Sequence, residues 1–147
     1  MTALVRRLTR DESGQAMVLV ALFLPALIAV AGLVTDGGLV FAQRRSLQNV
    51  ADAAAAAGAM QINQYTYRAS GGQTVTLDWA PAYSAAASTL SQRGGLSYAV
   101  WVMPWAVQVY ATRWVPTHFL RLVGIGGVWI HANAQAQPRQ GIYGAVP

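Results

Sequence analysis

Two histidines, His118 and His131, and five acids, Asp11, Glu12, Asp36, Asp52 and Asp78, are the groups from which this chain could build acid–base or metal chemistry. Neither histidine has an acid near it in sequence, and Asp52 and Asp78 are the only acids after Arg45. A Ser–His–Asp grouping needs a local device that aims the hydroxyl at its base, and no nucleophile elbow or similar signal occurs. Two His and two Asp at unrelated spacings do not fit the short ligand intervals of a metal site. Gly124-Ile125-Gly126-Gly127 lacks the strand-first spacing of a dinucleotide-binding loop and reads as a turn. There is no Cys, which removes disulfides, thiolate ligands and Cys nucleophiles. The residues therefore predict no enzyme, no metal site and no cofactor. An exported hydrolase ranks third among the functional readings, behind a structural subunit and a tethered binding module.

The composition is 54% hydrophobic and 10% charged, against about 25% charged in an ordinary soluble domain. Net charge is +5, yet all ten cations are Arg, scattered singly or in pairs. Nucleic-acid binding generally needs such charge clustered on one stripe, so a nucleic-acid partner is not expected.

What must position any functional residue begins with the N-terminal block. From Ala16 to Val34 there is no charged or strongly polar side chain. At 1.5 Å per residue this run spans about 28 Å, close to the ~30 Å hydrocarbon core of a bilayer. A secretory apolar region is shorter, about 7–15 residues, and ends in a small-x-small cleavage site. Here Thr35-Asp36-Gly37-Gly38 follows, then more apolar sequence to Ala42. The pattern predicts a retained single-pass helix in the cytoplasmic membrane, with Pro25 kinking it. Three Arg (Arg6, Arg7, Arg10) precede the span and two (Arg44, Arg45) follow it, favouring N-in and C-out. Asp36 is expected at the outer headgroup level, where a charge costs little. The other reading buries it against a partner helix, where it needs a cation or backbone donors.

Past Arg45, Leu47, Val50, Ala51, Ala54, Gly58 and Ile62 recur at helical spacing and form a narrow stripe of mostly small residues, suited to close packing. Gly37-Gly38 offers a break; without one, a single helix runs from the membrane to about Gln64. Thr74 to Leu77 reads as a short strand. A second helix beginning at Pro81 and stopping at Gly94-Gly95 presents Tyr83, Ala86, Ala87 and Leu90. Leu96, Tyr98, Val100 and Val102 alternate with Ser97, Ala99 and Trp101; after a Met103-Pro104-Trp105 connection, Val107, Val109 and Ala111 alternate with Gln108, Tyr110 and Thr112. Val128, Ile130, Ala132, Ala134 and Ala136 alternate with Trp129, His131, Asn133, Gln135 and Gln137. This period of two predicts a sheet with one buried and one wet face. Thr117 to Val123 reads as a short helix between the last two strands. Trp101, Tyr110, Trp114, Trp129 and His131 fall on the polar face, either as a contact surface or beneath a covering element of the same chain.

Two stretches together resemble a family. The first is Gly14-Gln15, the apolar run with Pro25, Gly32 and Asp36, and RRSLQNVADAAAAAGA from Arg44 to Ala59; the second is VQVYATRWVPTHFLRLVGIGGVWIHANAQA from Val107 to Ala136. Both look like the TadE/TadG-like proteins of the tight-adherence (Tad, or Flp) pilus system. The resemblance implies an α+β, pilin-like protein: a long N-terminal transmembrane helix continues into an Ala-rich helix packed on a small antiparallel or mixed sheet. Its expected divisions are a cytoplasmic head (1–14), a transmembrane helix (15–43), an extracytoplasmic domain (44–137) and a flexible tail (138–147). The implied role is that of a minor pilin, pseudopilin or accessory component acting by packing, at the membrane, the cell surface or the pilus. The implied partners are other Tad pilus or pseudopilin subunits, the inner-membrane assembly platform, membrane lipid and a prepilin peptidase. Such a peptidase would cut the Gly14–Gln15 bond, but Leu19 stands where pilin-like members commonly carry Glu. The rival reading is a membrane-tethered module that holds a glycan or protein on the Trp-rich sheet face.

Overall fold

The computed structural model describes residues 12–138, and its order of elements is one long helix, two shorter helices and three strands. Helix α1 (Glu12–Ala59) is continuous through Pro25 and through Gly37-Gly38. Glycine costs a helix only about 1 kcal/mol against Ala. The apolar and Ala-rich flanks carry the backbone through the pair without a break. The helix stops at Ala59, and Ile62 lies beyond it, bridged to Leu77 in an extended pairing. Helix α2 (Gln64–Ala69) follows, with the Asn63 side chain accepting the Thr66 N–H at 3.0 Å. Helix α3 spans Trp79–Ser91.

Strands β1 (Ser97–Met103), β2 (Ala106–Pro116) and β3 (Gly127–Ala136) form an antiparallel meander in the order β1-β2-β3. A two-residue turn at Pro104-Trp105 joins the first pair. Thr74–Leu77 does not form the expected strand. The stretch is too short for a ladder, and its backbone is met piecemeal: Thr76 C=O accepts from Asn63 N–H, and Leu77 N–H donates to the Pro104 carbonyl. Helix α3 begins two residues before Pro81, and Ala82, Ala86 and Leu90 are its buried positions. Tyr83 is instead exposed and stacks on Trp79 with centroids 5.8 Å apart. Ala86 and Leu90 keep their expected inward places, and Ala82 takes the one expected of Tyr83, close to Gly58 of α1.

The contacts gather the chain into two units. One is α1 through Leu39 together with Thr117–Gly126; the other is Val40–Pro116 with the described residues from Gly127. In the second, Leu47, Leu90, Val107 and Val109 are among the largest fully buried side chains, and Ala51, Ala54, Ala55, Ala82, Ala86, Ala106 and Ala111 fill the remainder. A core made of methyl groups has little side-chain volume to redistribute, so its elements must approach closely. Gly58 marks a close approach of the helix to its neighbours: a Cβ there would lie 3.0 Å from the Ala82 carbonyl oxygen and 3.1 Å from a Val107 methyl. Arg113 adds polar ties, donating at 3.3 Å to Gln43 Oε1 and at 2.9 Å to the Gly94 carbonyl.

Gly58→Leu is expected to destabilise this unit by about 1–3 kcal/mol through overpacking. Ala53→Leu, on the exposed side of the same helix, should stay within about 0.5 kcal/mol of the parent. Denaturant titration of the full chain in mild detergent, followed by Trp fluorescence, checks both.

Candidate functional site

The most constrained polar group in the described residues is Asp36. It sits on α1 two residues past the uncharged run and is 1% exposed. Its Oδ1 accepts the His118 N–H at 3.0 Å, and its Oδ2 accepts the Phe119 and Leu120 N–H groups at 2.8 and 2.7 Å. Three consecutive amides therefore converge on one carboxylate. Neither expected environment holds: the charge is not left to headgroup water, and its backbone donors come from the chain's own β2–β3 loop rather than from a partner helix.

The same contact reshapes the loop. The expected helix over Thr117–Val123 contracts to a single 3-10 turn, Leu120–Val123. The amides that would have started the longer helix already donate to Asp36. The buried Thr117 hydroxyl bonds the Ile125 carbonyl, and the Thr117 N–H donates to the Gly126 carbonyl at 3.3 Å, closing the loop at its base. One helical turn before Asp36, Gly32 receives Phe119: a Cβ at Gly32 would lie 2.5 Å from the Phe119 Cβ. Gly32 and Asp36, four residues apart, thus share one helix face and form a seat and a latch for the loop.

A second feature is the sheet face carrying Trp101, Tyr110, Trp114, Trp129 and His131, all of them exposed. The register sets Trp101 opposite Gln108, Tyr110 opposite Asn133, His131 opposite Thr112, and Trp114 opposite Trp129. The last two indoles pack edge to face at 5.3 Å. A depression of about 350 Å³ on this unit is lined by Trp101, Gln108, Asn133, Ala134 and Gln135. Exposed rings interleaved with amides can stack on a flat apolar surface and hydrogen-bond around its rim. His118 and His131 have no acid within hydrogen-bonding contact through their rings, and no metal-competent group of His, Cys, Asp or Glu occurs among the described residues.

The third feature is the helix. Leu47, Val50, Ala51, Ala54 and Gly58 are buried, joined by Ala55 and Ala59, whereas Ile62 is half-buried past the helix end. Gly14 and Gln15 lie within the first turns of α1 and are exposed. Met17 to Val34 present apolar side chains outward almost without exception, 14–59 being long and apolar enough to cross a membrane.

A long apolar N-terminal helix leading into a small three-stranded antiparallel sheet makes the fold α+β. Residues 14–61 of the chain match the family model described as putative Flp pilus-assembly TadE/G-like. The match takes in the helix with Gly32, Asp36 and the Ala-rich stripe; the second resembling stretch, Val107–Ala136, lies outside it. No curated protein and no solved structure matches the chain. The family match supports a role in Tad pilus assembly, a structural rather than catalytic task, and with the apolar helix it points to membrane anchoring.

Sequence reasoning singled out Asp36 and named Gly32 beside it in the resembling stretch, but gave Gly32 no role and did not reach Phe119 or the three amides. The available signal was the four-residue spacing of a Gly and an Asp at the end of an apolar run. Asp36→Ala is expected to leave three loop amides without their acceptor and to lower hydrogen-exchange protection at His118–Leu120 by about tenfold or more. Asp36→Asn, which keeps an acceptor oxygen, should lose less. Exchange measured on the full chain in detergent reads the difference.

Proposed function

We propose that this chain is a pilin-like, membrane-anchored component of Tad/Flp pilus assembly. It acts by subunit packing, with its N-terminus in the cytoplasm and its α+β unit outside the membrane. The observation that carries this reading is the helix matched by the TadE/G-like model, whose apolar side chains from Met17 to Val34 are exposed among the described residues, Gly32 alone being covered. Such a surface suits lipid and the helices of other subunits. The partners are other Tad pilus or pseudopilin subunits and the inner-membrane assembly platform. Deleting the gene in its native host is expected to abolish assembled pili and surface adherence. Normal pili and adherence in the deletion strain would refute the assignment.

Leu19, in place of the Glu common five residues beyond a prepilin cut, argues that Gly14–Gln15 stays intact. N-terminal sequencing of the native protein should then begin at Met1 or Thr2. A chain starting at Gln15 would instead make a prepilin peptidase a partner.

The exposed Trp face favours a second reading, a tethered module that holds a glycan or protein at the cell surface. Replacing Trp114 and Trp129 with Thr should then remove capture while the domain stays folded. Unchanged capture excludes the patch.

A further inference from the structure

The loop latched by Asp36 carries apolar side chains that the described residues leave open: Leu122 is 82% exposed, Ile125 47% and Phe119, seated on Gly32, 42%. We infer that the Thr117–Gly126 loop is a membrane-seated wedge, with Leu122 and Ile125 entering the leaflet on the C-terminal side of the span. The inference rests on the membrane-anchoring part of the proposed function.

Depth is the first argument. The uncharged run ends at Val34, so Gly32 lies about 3 Å inside that end and Asp36 about 3 Å beyond it, at 1.5 Å per residue. Phe119 sits against Gly32, and the three loop amides bond Asp36. The loop is therefore held at the boundary between acyl chains and headgroups, and continues the lipid-facing surface of the helix.

The backbone is the second argument. Irregular chain is admitted to an apolar phase only if its polar groups are satisfied from within. His118, Phe119 and Leu120 donate to Asp36, while the amides of Thr117, Leu122, Gly124 and Ile125 all donate to carbonyls inside the loop. Seven of the loop's ten amides thus have acceptors within this unit, well suited to an apolar surrounding. The exposed Arg121, between Leu120 and Leu122, is placed to extend its guanidinium toward lipid phosphate while its stem stays with the apolar residues. Aliphatic tips beside one snorkelling cation are the composition that interfacial segments use.

Because the chain has no Cys, a single introduced thiol can report depth. Leu122→Cys, Leu22→Cys in the span and Thr74→Cys on the exposed surface of the other unit would each be labelled with NBD. Each full-length protein would then be reconstituted in phosphatidylcholine–phosphatidylglycerol vesicles. The label at 122 should be blue-shifted, and quenched about twofold or more by shallow spin-labelled lipid relative to the label at 74. It should also be protected from iodide. Iodide quenching at 122 equal to that at 74, with the label at 22 in lipid, would overturn the wedge while leaving the anchor standing. An aqueous label at 22 would refute the anchor itself. A shift at 122 that vanishes as protein is diluted into excess lipid would assign the loop to a second copy and overturn the proposal.

Discussion

A carboxylate at the end of an apolar run must be compensated, because burying an unpaired charge is far more costly than burying a neutral polar group. Asp36 meets this constraint with three backbone amides of one loop. The loop has the complementary need: its first amides precede a 3-10 turn and have no helical acceptors. Each side supplies what the other lacks, and the charge-assisted character of the bonds makes them stronger than neutral ones. Gly32 completes the arrangement by admitting Phe119 one turn earlier. The Phe119 ring and the amide beside it thus locate the loop along the helix axis from two points rather than one.

The other unit relies on fit instead of charge. Without disulfides, its stability comes from packing, and its packing comes mostly from Ala, Val and backbone. Small side chains lose little rotamer freedom on burial, which offsets the modest apolar area each removes from water. The consequence is intolerance at points such as Gly58, where backbone and a Val methyl already occupy the space a side chain would need. Polar ties reinforce the edges: Gln48 donates to the Asn133 carbonyl at 2.7 Å, and Arg113 links β2 to Gln43 and to the turn after α3.

Much of this was legible in the residue pattern. The period-two alternation places Val107, Val109 and Ala111 on the buried face and Gln108 and Tyr110 on the exposed one, as the ladder has it. Charge-free length identifies the apolar helix, and the antiparallel sheet is the simpler of the two arrangements expected. What local pattern could not carry is any contact made across the sequence. Asp36 meets residues more than eighty positions away. That contact decides both its own environment and the truncation of the helix expected over Thr117–Val123. The same limit applies to Ile62, whose helical spacing continues past the point where Met60 and Gln61 turn the chain toward Leu77. It applies again to Tyr83, which periodicity alone cannot tell from Ala82 as the inward residue.

The exposed apolar surface of the chain is of two chemical kinds, and the difference bears on mechanism. On the unit containing the N-terminal helix and the Thr117–Gly126 loop it is predominantly aliphatic, with Leu, Val and Ile prominent. Such side chains offer a partner nothing but contact, and they are stable only against hydrocarbon or another apolar surface. On the sheet the exposed rings are Trp and Tyr set among Gln, Asn, Thr and His, which keep a hydrogen-bonding edge available in water. Scattered single apolar residues need no explanation, but contiguous surfaces of each kind do. Among the described residues the buried carboxylate, Asp36, is satisfied by backbone of its own unit, while the exposed apolar surfaces are the part of the molecule left to meet lipid or a partner.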